Sequence, residues 1–408
     1  MSLRPALSRL ESLPQASVPV TLGTPSATPR RGIRRPEPAA AARLVIKLGT
    51  RVLMDDDGRL VPERLRETLD VAASLRRAGR EVILVSSGAV GLGRHLLGLS
   101  EPPTGADLRR ACAAVGQSKL VGLYQQGFAE HGLTCAQVLL TEEDFDHRRR
   151  YLDLRATLDR LLAAGVVPVL NENDAVSHGT MPRIAGRTVF SDNDRLAALV
   201  AAKCHADLLV LLTDVRGVFD RNPKLCPDAR LLDRIDDPGA VLHGIDDVPG
   251  STMSRGGMGS KVAAARIAAR GGCHVIIASG HVSGTLRRCV EGRSEGTWFP
   301  ALGSLPARRQ WIAYAAATKG VLHLDAGAVR ALTEGRASLL PVGVRQVEGE
   351  FHRGDVVELR GPTGELVGRG LMSWDADQAR LWCLGSPPSD PARQANCLLR
   401  RTHVVLET

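Results

Sequence analysis

GVVPVL (165–170), NENDAV (171–176) and SDND (191–194) belong to one stretch whose reading sets the fold class. The first piece is a short apolar run, rich in β-branched residues and bounded by Gly165 and Asn171. That is the pattern of a strand buried on both faces of a parallel sheet. Polar chemistry begins where the run stops, with Asn171, Glu172, Asn173 and Asp174. Asp192, Asn193 and Asp194 follow after a basic, glycine-containing segment. Four carboxylates and three carboxamides this close together can bind an amine or order a metal. A solvated acidic loop is the competing reading.

Outward from this stretch, the same rhythm runs from Arg43 to about residue 300. RLVIKLGT (43–50), EVILV (81–85), TCAQVLL (134–140), DLLVLL (207–212) and CHVIIAS (273–279) read as strands. Helical patterns over 62–78, 107–130, 151–164, 195–204 and 262–270 separate them. The first carries Leu65, Leu69, Ala72 and Leu75 on one stripe, with Pro62 near its start and Gly79 as its stop. Strands alternating with helices predict an α/β fold: a doubly wound, mostly parallel sheet flanked by helices. Ligands of such sheets bind beyond the carboxyl ends of the strands. Every strand here runs into Gly, Ser, Thr, Asn or Asp, so the active site is expected at that edge.

After Gly303 the texture changes. SLLPVGV (338–344), RGDVVEL (353–359), GELVGRG (364–370) and QARLWCL (378–384) are short and separated by turn residues. They predict a small β-rich domain with one helix near Ala326–Thr333. The expected domains are therefore a disordered leader over 1–42, an α/β domain over 43–302, a linker over 303–309 and a β-rich domain over 310–408.

Bulk properties narrow the function classes. A chain of 408 residues with 44% hydrophobic content can build two or three domains with a sizeable core. The net charge of +9 is concentrated in the leader, where six arginines face only Glu11 and Glu37 and account for +4. The remaining charge is too dilute to indicate a polyanion partner, so RNA or DNA binding is not expected as the main activity. Only six of the 53 basic residues are lysine: Lys47, Lys119, Lys203, Lys224, Lys261 and Lys319. In an arginine-rich chain a lysine marks a place for a compact, mobile ammonium, or is simply retained by chance. The eight cysteines show no CxxC and no metal-ligand spacing with histidine, and read as reduced, mostly buried thiols. No run approaches the roughly 18 apolar residues of a membrane span. The Arg- and Ser-rich leader fits an organellar transit peptide as well as a bacterial extension. The bacterial, cytoplasmic reading is preferred.

Four further motifs sit at predicted strand ends. Lys47-Leu48-Gly49-Thr50 is a strand entering a glycine turn, whose free N–H groups could cradle a phosphate beside the lysine. A buried-strand lysine with a bland turn reads equally well. Ser86-Ser87-Gly88-Ala89-Val90-Gly91 could hold a carboxylate or phosphate at a helix start, or merely cap it. Thr213-Asp214 could bind ribose hydroxyls or a metal, or cap a turn. Arg255-Gly256-Gly257-Met258-Gly259-Ser260-Lys261 brings glycines to a helix N-terminus, an anion site by geometry and dipole. A flexible surface turn is its alternative, and its order does not match a Walker A loop.

Taken in order, IKLGT, VSSGAVGLG, AAVGQ, QVLLT, PVLNENDAV, DNDRLAALVA, LLLTDVRGV and GGMGSKVAAA resemble the signature segments of the amino acid kinase family. The pairing of NENDAV with SDND resembles the members that phosphorylate glutamate, rather than the acetylglutamate, aspartate or uridylate kinases. The tail, including SLLPVGV and FHRGDVVEL, resembles a PUA domain. The resemblance implies an enzyme that transfers phosphate from ATP, with Mg2+, to the γ-carboxylate of L-glutamate in proline biosynthesis. It implies that Lys47, Thr213, Asp214 and Arg255 to Lys261 (Arg255, Gly256, Gly257, Met258, Gly259, Ser260, Lys261) contact ATP. Ser87, Asp174 and Asn193 would bind glutamate, Lys47 and Lys261 would flank the transferred phosphoryl, and Asp194 would organise the lysines. It further implies a homo-oligomer, proline as feedback inhibitor and a glutamate-5-phosphate reductase as recipient of the product. The chain departs from the family pattern at Arg255, at Ser191 and in a long segment carrying Arg183 and Arg187.

Overall fold

The structure is a computed structural model. It describes residues 38–407 except 56, 142, 147, 177–192, 224–225, 240, 242–257, 304–306, 316–317, 336 and 387–396. Seven strands form the larger sheet: β1 Arg43–Leu48, β2 Glu81–Val85, β3 Cys135–Leu140, β4 Val167–Glu172, β5 Leu208–Thr213, β6 His274–Ser279 and β7 Thr297–Phe299. Their spatial order is β3-β4-β2-β1-β5-β6-β7. Every neighbouring pair is parallel except β6 with β7. The expected doubly wound sheet is therefore present, with the carboxyl ends of β1 to β6 along one edge.

Strand alternation decides what lies on each face. Val45, Ile83, Val85, Leu209, Leu211, Val275 and Ile277 join one core cluster, which they share with α6 Arg148–Ala163, α7 Asn193–Lys203 and α8 Met258–Arg270. Leu44, Ile46, Leu48, Val82, Leu84, Val210 and Leu212 point the other way, onto α2 Pro62–Arg77 and α4 Ala106–Ala129. Single turns α1 Thr50–Leu53 and α5 Glu143–Asp146, and the helices α3 Ala89–Leu96 and α9 Thr285–Val290, complete this part. Lys47 has the parity of Val45, so the strand itself aims it at the face covered by α7 and α8.

The stripe Leu65, Leu69, Ala72, Leu75 is buried on α2, and Pro62 stands at its first position as expected. The strand expected over 165–170 is shifted by two residues toward the polar segment. It covers Val167–Glu172, because Asn171 and Glu172 still pair with Leu139 and Leu140 of β3. At the far end of the leader, residues 38–42 are ordered rather than loose. Pro38–Ala40 forms a 3-10 turn, Ala41 is buried, and the Ala42 N–H donates to Asp207 at 2.8 Å. The rest of the leader lies outside the described residues.

Helices α3 and α4 cross without side chains between them. A Cβ on Gly116 would collide with the Ala89 carbonyl oxygen, and one on Gly93 with the Cys112 carbonyl oxygen. Both obstacles are backbone, so no rotamer change relieves them. We expect Gly116→Ala to lower the unfolding free energy by about 2 kcal/mol, the overpacking cost exceeding the gain in helix propensity. A urea midpoint equal to or above that of the parent would contradict this packing.

The smaller sheet comprises β8 Thr318–Leu324, β9 Val344–Gly349, β10 Val356–Arg360, β11 Leu366–Leu371 and β12 Val404–Leu406, in the order β12-β11-β10-β8-β9. It has its own core around Leu322, Leu332, Val357, Leu359 and Trp374. Helix α11 Ala326–Thr333 lies where expected, and the Asp325 carboxylate caps it by accepting from the Ala328 N–H at 2.7 Å. Gln378–Leu384, read as a strand, instead falls in helix α12 Ala376–Cys383 and its C-cap, Leu384. Ala376 and Ala379, spaced by three, are buried, and Trp382 meets Trp374 edge-on at 5.2 Å between centroids. That helical spacing outcompetes a period-two pattern too short to fix itself.

Between the sheets, the described part of the 303–309 linker includes the start of a short helix, α10 Ala307–Gln310, which leads into a π-helical turn, Trp311–Ala315. Trp311 and Ile312 enter the larger core together with Val356, Leu371 and Val405. The Trp311 indole donates to the Phe145 carbonyl at 2.8 Å, and Arg266 of α8 pairs with Glu407 at 2.7 Å.

Candidate active site

Three charged side chains from separate segments meet at the carboxyl edge of the larger sheet. Lys47 Nζ of β1 lies 2.6 Å from Asp194 Oδ1, and Lys261 Nζ of α8 lies 3.0 Å from Asp194 Oδ2. Asp194, in the first turn of α7, is 1% exposed and Lys47 is 5% exposed. Burial alone pushes the Asp194 carboxyl up, but the two ammonium groups outweigh it and hold the carboxyl below its ordinary value. One carboxylate thus holds two positive charges side by side. Two ammonium groups confined at a ligand-binding edge can stabilise a polyanion that carries transient extra charge.

Beside this trio the ends of β2 and β4 are stitched together by side-chain amides. Asn193 Nδ2 donates to Ser87 Oγ at 2.9 Å and to Asn171 Oδ1 at 3.0 Å. Asn171 Nδ2 donates in turn to Gln117 Oε1 of α4 at 2.8 Å. Ser86 Oγ is 2.9 Å from the hydroxyl of Tyr124, which anchors α4 over the same strand end. Gly88 follows at φ +102°, where an added Cβ would meet Met54 Cε at 2.6 Å. Only glycine makes this turn from β2 into α3. A cavity of about 210 Å³ opens beside it, lined by Gln117, Gln137, Glu172, Asn173 and Asp174 among others. Burial raises the Asp174 carboxyl above its ordinary value, and the charge of Arg109 offsets this only in part.

On the other side of β1, Thr213 ends β5 and its hydroxyl donates to Asp214 at 3.0 Å. Asp214 also pairs with Arg51 at 2.8 Å, and His281 Nε2 sits 2.9 Å from the Arg51 carbonyl oxygen. Burial raises the Asp214 carboxyl, but the hydrogen bonds from Arg51 and Thr213 hold it low. The Gly49 N–H, expected to be free for a phosphate, is committed to the Leu212 carbonyl at 3.1 Å, extending the β1–β5 ladder by one bond. Met258, Gly259, Ser260 and Lys261 form the first turn of α8. Arg255, Gly256 and Gly257 lie outside the described residues, as do Asp192, Ser191, Arg183 and Arg187.

The geometry therefore gathers Lys47, Asp194 and Lys261 into one group and Ser87 with Asn193 into a second. Asp174 lines the cavity, and Thr213 and Asp214 flank the strand next to Lys47. Sequence reasoning assigned no role to Gln117, Arg51 or His281. Gln117 lies within AAVGQ, but no local signal tied it to Asn171, which is 54 positions away. Among the described residues no group of three or more His, Cys, Asp or Glu side chains could hold a metal ion, and both Asp194 oxygens face ammonium groups. The described residues therefore do not fit a protein-held magnesium site.

Comparison with known proteins identifies the family. Residues 42–279 match the model of the amino acid kinase family, and residues 320–385 match that of the PUA domain. The chain belongs to the amino acid kinase family. Its curated relatives place it on the glutamate 5-kinase branch. It is 45% identical over 343 residues to the glutamate 5-kinase of Chromohalobacter salexigens, covering 83% of this chain and 88% of that one. It is 45% identical over 352 residues to the glutamate 5-kinase of Halorhodospira halophila, covering 86% and 92%. The glutamate 5-kinase of Myxococcus xanthus is 45% identical over 342 residues, covering 84% and 89%.

Proposed function

We propose that this chain transfers the γ-phosphoryl group of ATP to the γ-carboxylate of L-glutamate, giving glutamate 5-phosphate, the first step of proline biosynthesis. The observation that carries the reading is the convergence of Lys47 and Lys261 on the buried Asp194. An acceptor carboxylate is already ionised at neutral pH, so no general base is required. Its oxygen attacks the γ-phosphorus in line as the bond to ADP breaks. Catalysis then rests on positioning and on neutralising charge that spreads over the equatorial oxygens. Lys47 and Lys261 supply that charge, and Asp194 keeps them side by side and aimed. Thr213, Asp214 and the segment Arg255 to Lys261 hold the nucleotide, whose phosphates are expected to bring any magnesium with them. Ser87, Asp174 and Asn193 hold glutamate. Arg51 and His281 belong with the nucleotide group, because they meet Asp214 and its neighbour.

Residues 43–302 form the kinase domain and 310–408 the PUA-like domain in this reading. Proline as feedback inhibitor, a homo-oligomer, a reductase recipient and a cytoplasmic setting belong to the same proposal. No described helix is long and apolar enough to cross a membrane. A substrate panel of glutamate, acetylglutamate, aspartate and UMP, read by ADP formation, tests the assignment. Turnover with glutamate alone is expected, and turnover with another member instead would overturn it. In the same assay Asp174→Ala raises the glutamate KM at least about tenfold with a smaller change in kcat, because it removes a charge that binds the ground state and transition state alike. An unchanged KM would remove Asp174 from the binding site.

A further inference from the structure

We propose that Gln117 is a positioning residue for the acceptor substrate, acting through a chain of carboxamides that ends on Ser87. The proposal rests on the reading above, in which Ser87 and Asn193 hold glutamate. A carboxamide has a donor end and an acceptor end of nearly equal size, so packing alone does not decide which way it faces. Hydrogen bonds decide it here. Gln117 Oε1 accepts from Asn171 Nδ2 at 2.8 Å, which fixes the amino end of Asn171 toward α4. Asn171 Oδ1 then faces the opposite side, where it accepts from the Glu172 N–H at 2.9 Å and from Asn193 Nδ2 at 3.0 Å. That fixes the amino end of Asn193, which also donates to Ser87 Oγ at 2.9 Å.

Two consequences follow for the substrate. With its oxygen engaged as an acceptor, the Ser87 hydroxyl is left to donate its own hydrogen, the polarity a carboxylate needs. Asn193 Oδ1 is turned to the remaining side, buried and without a hydrogen-bond partner among the described residues, an acceptor suited to an ammonium group. An α-amino acid presents both complements at once. Asn171 is 2% exposed, so loss of the Gln117 acceptor strands a buried amino end that water does not readily reach. The side chain shifts in search of another acceptor, which loosens the contact of its oxygen with Asn193, and Asn193 loses its fixed orientation with it. Gln117 itself is held at the right height because Gly116, its neighbour, lets α4 approach α3 at backbone distance.

Gln117→Met tests this, since methionine keeps the length and suits a helix but accepts hydrogen bonds only weakly. We expect the glutamate KM to rise about tenfold, while kcat and the ATP KM stay within about twofold of the parent. In an Asn193→Ala background the same substitution should add less than about twofold, because the chain is already cut below it. Gln117→Ala, read the same way, serves if the methionine variant does not fold. An unchanged glutamate KM, effects that multiply in the double variant, or an ATP KM that rises as much as that for glutamate each overturn the proposal. A parent protein that forms no ADP in response to glutamate overturns the functional reading and this inference together. An active parent with an unaffected Gln117→Met overturns this inference alone.

Discussion

Lys261→Ala lowers kcat for glutamate-dependent ADP formation by about 10²–10³-fold and leaves the glutamate KM within about threefold. The asymmetry follows from where charge appears. ATP and glutamate arrive with their charges spread over groups that other residues bind. The extra charge on the equatorial oxygens develops only as the phosphoryl moves, and the two ammonium groups are built to meet it. The Lys261 side chain is 13% exposed and that of Lys47 6%, so water replaces neither charge well. Lys47→Ala behaves in the same way. Arginine at either position does not restore the rate, because a planar fork bonded to Asp194 cannot reach over as a point charge. Steady-state kinetics in which Lys261→Ala keeps a near-normal kcat would remove the paired ammonium groups from the mechanism.

Asp194→Ala produces the second large effect, and it shows in stability as well as rate. The substitution leaves two buried ammonium groups without the carboxylate that both contact. Removing one partner from a buried ionic group costs about 3–5 kcal/mol, and kcat falls as the lysines move apart. Asp194→Asn keeps the shape and isolates the charge. Because the folded carboxyl titrates below its ordinary value, its stabilisation is fully present above the unfolded value near pH 4. It is lost as pH falls through the lower, folded value. Melting temperatures measured from pH 7 down to about pH 3 should therefore show a steep acid limb in the parent that is shallower in Asp194→Asn. Parallel acid limbs would mean that Asp194 is not held charged by the lysines.

The strand–helix rhythm was legible because it is local: each apolar run and each polar ending lies within a few residues. The face that Lys47 occupies was legible in principle too, since it shares parity with Val45 across one strand. Which strands lie side by side was not, because β1 joins β2 and β5 from far along the chain. Convergence of Lys47, Asp194 and Lys261 was inferred by resemblance and not by spacing, for the same reason. Gln117 lies in the middle of a helix next to exposed Ser118 and Lys119, and nothing local separates it from a solvated glutamine. In the tail, β8 went unread because Gly320 interrupts its pattern. That glycine is there to let Phe351 and the Glu348 carbonyl approach, a constraint visible only once β9 is paired beside it. β7 and β12 are too short to carry a period.

The most direct measurement is to trap the product. An acyl phosphate is attacked by hydroxylamine, so incubation with ATP, glutamate and hydroxylamine should yield γ-glutamyl hydroxamate in step with ADP, and Lys261→Ala should slow both equally. ADP release without hydroxamate, or a hydroxamate on the α-carboxyl, would contradict transfer to the γ-carboxylate at this site.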